Sequence, residues 1–317
     1  QDDEASLAQM IRSKACRAVI VGVKPYLGEL YEALGETGVT QGAIISRFGV
    51  GHDSIDKELA RKHRIVVTNT PGVLDSSVAE HALWLIGSLA RHVAVCHGQM
   101  KAGQWQPRTG IELRGQTLGI LGFGAIGRRV AAMAHYGFGM RVIAVDRFGI
   151  QELEGREGRS IGTIQREFGL NEYTTDVESM LSQADVVSIH LPAVEATKNF
   201  VNADLLASLK RDCLLVNTAR GSVLDEDALY DALSTGRLAG AALDVYQQEP
   251  YRPQSPDRDL RTLPSIVLTP HIGSNTVGAN EAMARAALAN VANFLQGRID
   301  ELTRVDDARV FWANDRP

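Results

Sequence analysis

The chain has 317 residues, 44% of them hydrophobic and 22% charged, with a formal net charge of −5. That length accommodates two domains with separate cores, and the slight acidic balance gives no electrostatic footprint for nucleic acid or an anionic membrane. No apolar run reaches the ~18 residues of a membrane span, no signal peptide is visible, and Cys16, Cys96 and Cys213 are too dispersed for a metal cluster or a disulfide framework, which suits a reducing cytoplasm.

Gln1 is no initiator residue, and residues 2–13 read as a helix leading straight into a strand, so natural N-terminal residues are expected to be missing. Strand-like and helix-like segments then alternate almost throughout, the pattern of parallel sheets covered by helices on both faces. Strands are predicted at 18–23, 42–46, 65–68, 117–121, 141–145, 186–190, 213–217, 241–244 and 266–268. Two long alanine-rich helices, 76–101 and 280–296, are expected to connect domains. If both cross, the middle of the chain is an insertion, and the predicted domains are 1–96 with 280–317, and 97–279. Residues 147–170 carry five glycines and little apolar periodicity and read as an irregular excursion, while 250–264 reads as a surface loop.

The stretch LGILGFGAIGRRVA places Gly122, Gly124 and Gly127 between a buried strand and a helix. The first glycine permits a tight turn, the second lets a pyrophosphate approach the backbone, and the third lets helix and strand pack closely. Phosphates then sit on the helix N-terminus. A lone glycine pattern is a weak signal, but here another strand follows and ends at Asp146, about twenty residues beyond Gly127, where a carboxylate accepts from ribose hydroxyls.

Three further segments put polar residues at strand ends, which border the ligand crevice of a doubly wound sheet. Arg220 precedes Gly221 and has the fork to grip a carboxylate, or equally to cap the acidic cluster Asp225, Glu226 and Asp227. His271 is a proton carrier by residue type, although seven other histidines are present and most such residues are structural. Glu249 either orients the imidazole or is a solvated loop carboxylate before Pro250. Together the three supply an anchor, a proton carrier and an orienter for hydride transfer beside a carboxylate.

The ordered series SRFGVGHDSID, NTPGVLDSSVAEHA, LGILGFGAIGRRVA, VVSIHLP, VNTARGSVLDEDAL, ALDVYQQEP and TPHIGSNT resembles the D-2-hydroxyacid dehydrogenase family, whose relatives include glycerate, phosphoglycerate and D-lactate dehydrogenases. The resemblance covers about residues 18–297. It implies an α/β fold of two Rossmann-like doubly wound parallel-sheet domains, the NAD-binding domain inserted into the substrate domain, and usually a homodimer. It implies Arg220, Glu249 and His271 as the catalytic set, and the amides of Val50 and Gly51, with Arg220, as the substrate-binding groups. For the cofactor it implies Gly122, Phe123, Gly124, Ala125, Ile126 and Gly127 at the pyrophosphate, Asp146 with Arg147 at the ribose, and Pro192, Thr218, Ala219 and Asp244 along the cleft, Asp244 at the nicotinamide carboxamide. The sequence departs from the family where Ala193 and Val194 follow HLP, in the length of the 147–170 excursion, and in an N-terminal strand that is expected but missing. His190 and Glu80 read as structural, Val78 as a residue facing the nicotinamide, and Trp105 as a packing residue between domains.

The expected function is interconversion of a 2-oxo acid and a D-2-hydroxy acid with NAD(H), with some NADP(H) use supported by Arg147, in the cytoplasm and without a metal. The side-chain pocket is expected from residues 23–27, Phe48 and residues near Val73. Lys24 and Arg47 either read a second anionic group there or are simply exposed. The rivals are a phosphoglycerate, formate or phosphite dehydrogenase on the same scaffold, and a dinucleotide-sensing interaction protein.

Overall fold

A computed structural model describes residues 3–305. The chain folds as two compact units, one made of the stretch up to Leu74 together with the stretch from Thr276 onward, the other of Asp75–Asn275. In the first unit, α1 (Glu4–Ser13), β1 (Ala18–Val21), α2 (Glu29–Thr37), β2 (Ala43–Arg47), α3 (Lys57–Lys62) and β3 (Ile65–Thr68) build a parallel sheet of order β1-β2-β3. β2 and β3 are buried along their whole length, as continuous apolar, largely β-branched runs in a parallel sheet should be. One face receives Leu30, Tyr31, Ala33 and Leu34 of α2 and Ala8 and Ile11 of α1. The helix Val277–Leu295 returns to this unit, where Ser46 Oγ donates to Ala287 O at 3.1 Å and Asn290 Nδ2 donates to Asn69 O at 3.1 Å. Asp3 and Asp56 cap α1 and α3 by accepting from the N–H groups of Ser6 and Leu59.

The second unit starts with α4 (Asp75–Ala90) and α5 (Val93–Lys101), then runs β4 (Thr117–Leu121), α6 (Ala125–Phe138), β5 (Arg141–Val145), α7 (Ile150–Glu157), α8 (Ile161–Phe168), β6 (Glu172–Thr174), α9 (Val177–Gln183) and β7 (Val186–Ile189). It ends with α10 (Ala203–Ser208), β8 (Leu214–Asn217), α11 (Glu226–Ser234), β9 (Gly240–Leu243) and β10 (Ile266–Leu268). The seven strands are parallel in the order β10-β9-β8-β7-β4-β5-β6, so the winding reverses between β4 and β7, the switch point at which such sheets open a crevice. Alternation along the strands fills two cores. Leu118, Ile120, Val142 and Ala144 meet α4 and α6 on one face, and Leu121, Ile143, Val145 and Val187 meet α9 and α11 on the other.

The units divide at 74/75 and 275/276, whereas the sequence reading put the boundaries at 96/97 and 279/280. The reason is α4: its Ala79, Ala82, Leu83, Ile86 and Leu89 join the core on one face of the sheet, where the helix packs against α6, β8 and β9. The single helix expected over 76–101 is two helices, because the chain turns at His92 with φ 54°. The excursion is helical, not irregular. Gly158 and Gly169 end α7 and α8 in left-handed C-caps instead of breaking them, and Glu154 Oε1 accepts from the Ile161 N–H at 2.7 Å between the two helices. β6 was not anticipated, since three residues carry no readable alternation. Trp105, expected to pack, is exposed.

Candidate active site and family

The glycine turn follows β4. Gly122 has φ 98°, and a side chain there would meet His190 O at 2.6 Å, so turn and neighbouring strand both demand glycine. A Cβ on Gly127 would lie 2.2 Å from Gly122 O, which is the close helix approach that the spacing implied. Gly124 caps α6 without a side chain, and a Cβ there would meet nothing within 4 Å. The first-turn amides of α6 therefore face open space beside a backbone that leaves room for a phosphate.

Phe123 is buried and donates its N–H to Asp146 Oδ2 at 2.9 Å, while Asp146 Oδ1 accepts from the Arg147 N–H at 2.8 Å. The carboxylate that ends β5 is thus tied to the turn it was expected to accompany. Arg147 is exposed, with its guanidinium 4.6 Å from the Phe148 ring. A residue that sequence reasoning missed supports the turn from beneath. Arg128 Nε donates to Phe123 O at 3.0 Å, its Nη2 reaches Glu157 at 2.8 Å, and its guanidinium stacks over Phe123 and Phe168. The Arg128 and Arg159 guanidiniums hold the Glu157 carboxyl down at about 2. The partners Glu157 and Phe168 lie in the excursion, so the segment read as irregular buttresses the glycine turn.

At the end of β7, His190 bonds Ser188 Oγ through Nε2 at 2.9 Å, and burial pushes it down to about 4, so it is neutral at neutral pH. Pro192 follows and is exposed. At the end of β8, Asn217 shapes the next turn: its Oδ1 accepts from the Ala219 N–H at 3.0 Å and its Nδ2 donates to Arg220 O at 2.9 Å. Thr218 is buried, with no hydrogen-bond partner at its Oγ1. Arg220 Nη1 donates to Ala219 O at 2.6 Å. The following Gly221 is pressed on the chain leaving β9, since a Cβ would sit 1.8 Å from Tyr246 C.

Glu249 and His271, 22 residues apart in sequence, meet with Oε2 and Nδ1 2.7 Å apart, each side chain one-third exposed. Glu249 Oε1 also accepts from the Tyr246 N–H at 3.1 Å. His271 has φ 53°, in the left-handed region. Asp244 is buried, and although burial alone would raise its pKa, hydrogen bonds from His81, Thr269, Ile272 and Gly273 hold it below the usual carboxylate value. Sequence reasoning gave His81 and Thr269 no role, although both stand in quoted motifs.

Arg220, Asp244 with Glu249, and His271 thus follow β8, β9 and β10, three adjacent strands. Val50 and Gly51 belong to the first unit, on the loop after β2, where Val50 O accepts from Asn69 Nδ2 at 2.9 Å. Residues 83–273 match the model of the D-isomer specific 2-hydroxyacid dehydrogenase NAD-binding domain. The chain is 38% identical over 265 residues, 81% of its length and 75% of the relative's, to a glyoxylate reductase of Thermococcus litoralis. The chain belongs to the D-isomer specific 2-hydroxyacid dehydrogenase family. As a member it is an NAD(P)-dependent oxidoreductase acting on the CH–OH group of 2-hydroxy acids. It is also 38% identical over 238 residues, 74% of its length and 72% of the relative's, to a hydroxypyruvate reductase of Thermotoga maritima. Among solved structures it resembles the NADPH-dependent glyoxylate/hydroxypyruvate reductase of Sinorhizobium meliloti in complex with NADP and malonate. That match has a TM-score of 0.78 and 29% identity, covering 96% of this chain and 88% of that one.

The residues of this D-2-hydroxyacid dehydrogenase fit a dinucleotide: room over Gly124, uncapped amides on α6, the Asp146 carboxylate at the end of β5 tied to the turn, and a buried hydroxyl on Thr218. Among the described residues, no helix is long and apolar enough to cross a membrane and no cluster of three or more metal-ligating side chains occurs.

Proposed function

We propose that this enzyme interconverts a short 2-oxo acid of the glyoxylate or hydroxypyruvate type with the corresponding 2-hydroxy acid, of D configuration where C2 is chiral, with His271 as the proton carrier. The names of its relatives motivate the substrate class. The pairing of His271 Nδ1 with Glu249 Oε2 at 2.7 Å carries the reading. A carboxylate at that nitrogen holds Nδ1 as the donor, so proton exchange with substrate falls to Nε2. Reduction needs the ring to start with a hydrogen on Nε2. When bound, the nicotinamide supplies or accepts the hydride at the substrate's C2. In reduction His271 Nε2–H gives its proton to the carbonyl oxygen, and in oxidation the same nitrogen starts bare and takes the hydroxyl proton.

Arg220 is the anchor, its planar fork suited to a carboxylate and the adjacent carbonyl oxygen. Val50 and Gly51, through their backbone amides, are proposed as further substrate-binding groups. Gly122 to Gly127 hold the pyrophosphate, Asp146 the ribose, and Pro192, Thr218, Ala219 and Asp244 border the cofactor. Asp146 favours NAD(H), and Arg147 lends a residual use of NADP(H). We place the enzyme in the cytoplasm as a homodimer.

Turnover of His271→Gln tests the assignment. kcat should fall by roughly 10²–10⁴-fold, the usual worth of a positioned acid or base, with dinucleotide binding retained; undiminished turnover removes His271 from the chemistry. Glyoxylate, hydroxypyruvate, pyruvate, phenylpyruvate and 3-phosphohydroxypyruvate, assayed side by side, rank the substrates. A best kcat/KM with phenylpyruvate would refute the short-acid reading.

A further inference from the structure

We propose that His81 is a positioning residue for the reaction: from α4 it fixes, through Asp244 and Thr269, the short segment that carries His271. The proposal rests on His271 being the proton carrier. His271 lies in left-handed backbone, which a non-glycine residue holds only when its surroundings dictate it. Its neighbours on both sides are pinned. Thr269 Oγ donates to Asp244 Oδ1 at 2.6 Å, and Tyr246 Oη donates to Thr269 O at 2.8 Å. Beyond His271, the Ile272 N–H reaches Asp244 Oδ1 at 2.9 Å and the Gly273 N–H reaches Oδ2 at 2.8 Å, while Ser77 Oγ donates to Gly273 O at 2.8 Å. One buried carboxylate therefore grips the segment before and after the histidine.

His81 completes that grip. Its Nε2 lies 3.3 Å from Asp244 Oδ1 and 3.2 Å from Thr269 Oγ1. Asp244 is ionised, and the Thr269 hydroxyl hydrogen is committed to it, so both atoms facing Nε2 are acceptors. Nε2 must then carry the hydrogen, which sets the His81 tautomer and gives Asp244 a side-chain donor from outside the segment it holds. Ser77 and His81 are four residues apart and share a face of α4, so one helix face meets the segment twice. A Cβ on Gly273 would lie 3.0 Å from Asp244 Oδ2 and 3.6 Å from His81 Cδ2, so the segment sits closely against both. Without the His81 donor, the Asp244–Thr269 pair keeps its own bond but loses its tie to α4. The cost falls on where His271 Nε2 points, and small misplacements of a reacting group are expensive in rate.

His81→Leu removes the donor at similar bulk, and His81→Gln restores an N–H near the Nε2 position. The Leu variant should lower kcat about 10–100-fold with a smaller change in substrate KM, and the Gln variant should recover most of it. In a His271→Gln background the same His81→Leu change should have almost no further effect on kcat, because a residue that acts through His271 has nothing left to position. Ser77→Ala, which removes a single bond to the segment, should show the same kcat-weighted loss in milder form and serves where His81→Leu does not fold. Parental kcat in His81→Leu, a Gln variant no better than Leu, or full additivity with His271→Gln would each overturn the positioning role. If His271→Gln itself turns over like the parent, the assignment of His271 fails instead, and the two failures are told apart.

Discussion

Glu226 is the first residue of α11, 3% exposed, and its Oε1 accepts from the Gln247 N–H at 2.6 Å while Oε2 is buried with no partner. Burial raises this carboxyl from 4.5 to about 7; the Gln247 hydrogen bond opposes the shift, and the nearby charges of Asp227, Glu249 and Asp225 add to it. A helix N-terminus favours a carboxylate by only about 0.3–1 kcal/mol, which is too little to win against desolvation. The folded protein therefore binds a proton here that the unfolded chain has released, and stability must fall as pH rises from about 4.5 through about 7. At about 1.4 kcal/mol per tenfold, the full loss is about 3 kcal/mol, most of it between about pH 5 and pH 8. Glu226→Gln keeps an oxygen for the Gln247 N–H but cannot ionise. Urea unfolding of parent and variant across that range should show the stability difference moving in the variant's favour by about 2–3 kcal/mol as pH rises. The slope, not the absolute value, isolates titration from any change in packing. A difference that stays constant across the range would refute a buried, protonated Glu226.

Arg220→Lys keeps the charge and loses the fork, so KM for the oxo acid should rise and kcat fall together while dinucleotide binding survives; unchanged steady-state kinetics would remove Arg220 from the site. Gly221→Ala drives a methyl to within 1.8 Å of Tyr246 C. It should cost at least about 3 kcal/mol in denaturant unfolding, and a parental midpoint would show that the 246–247 backbone yields freely. Asp146→Ser removes the charge expected at the adenosine 2′ position and frees the Phe123 N–H. Fluorescence titration should show NADH binding weakened and the NADPH to NADH affinity ratio raised about tenfold, equivalent to roughly 1.4 kcal/mol; a parent that already prefers NADPH would show that Arg147 governs the pocket.

Where local pattern decides the outcome, the fold was readable. β3, β4, β5 and β10 begin and end where their apolar runs do. What resisted reading depended on contacts distant in sequence. Nothing local to Arg91 and His92 marks a helix break, and the assignment of α4 to the second unit follows from its packing against α6, β8 and β9. In the excursion, Gly158 and Gly169 read locally as breakers but are C-caps, because their effect depends on whether the preceding turn has apolar contacts. Leu153 and Ile164 have them, both buried beside α6.

The candidate site divides along the same line. The glycine turn was legible because strand, turn and helix are contiguous, and Asp146 because one strand separates it from them. Asp244 was legible as a residue at a strand end and, through the resemblance, as a nicotinamide contact; that its two oxygens take up the segment around His271 depends on how β9 and β10 align. Their pairing sets Leu268 beside Leu243, which brings Thr269 level with Asp244. A slip of one residue along β10 would shift the segment by about 3.3 Å and turn each side chain to the opposite face. His271 would then lose the 2.7 Å contact with Glu249. His271 is placed by strand register, and the Asp244 network, with His81 behind it, carries that register beyond the last ladder bond.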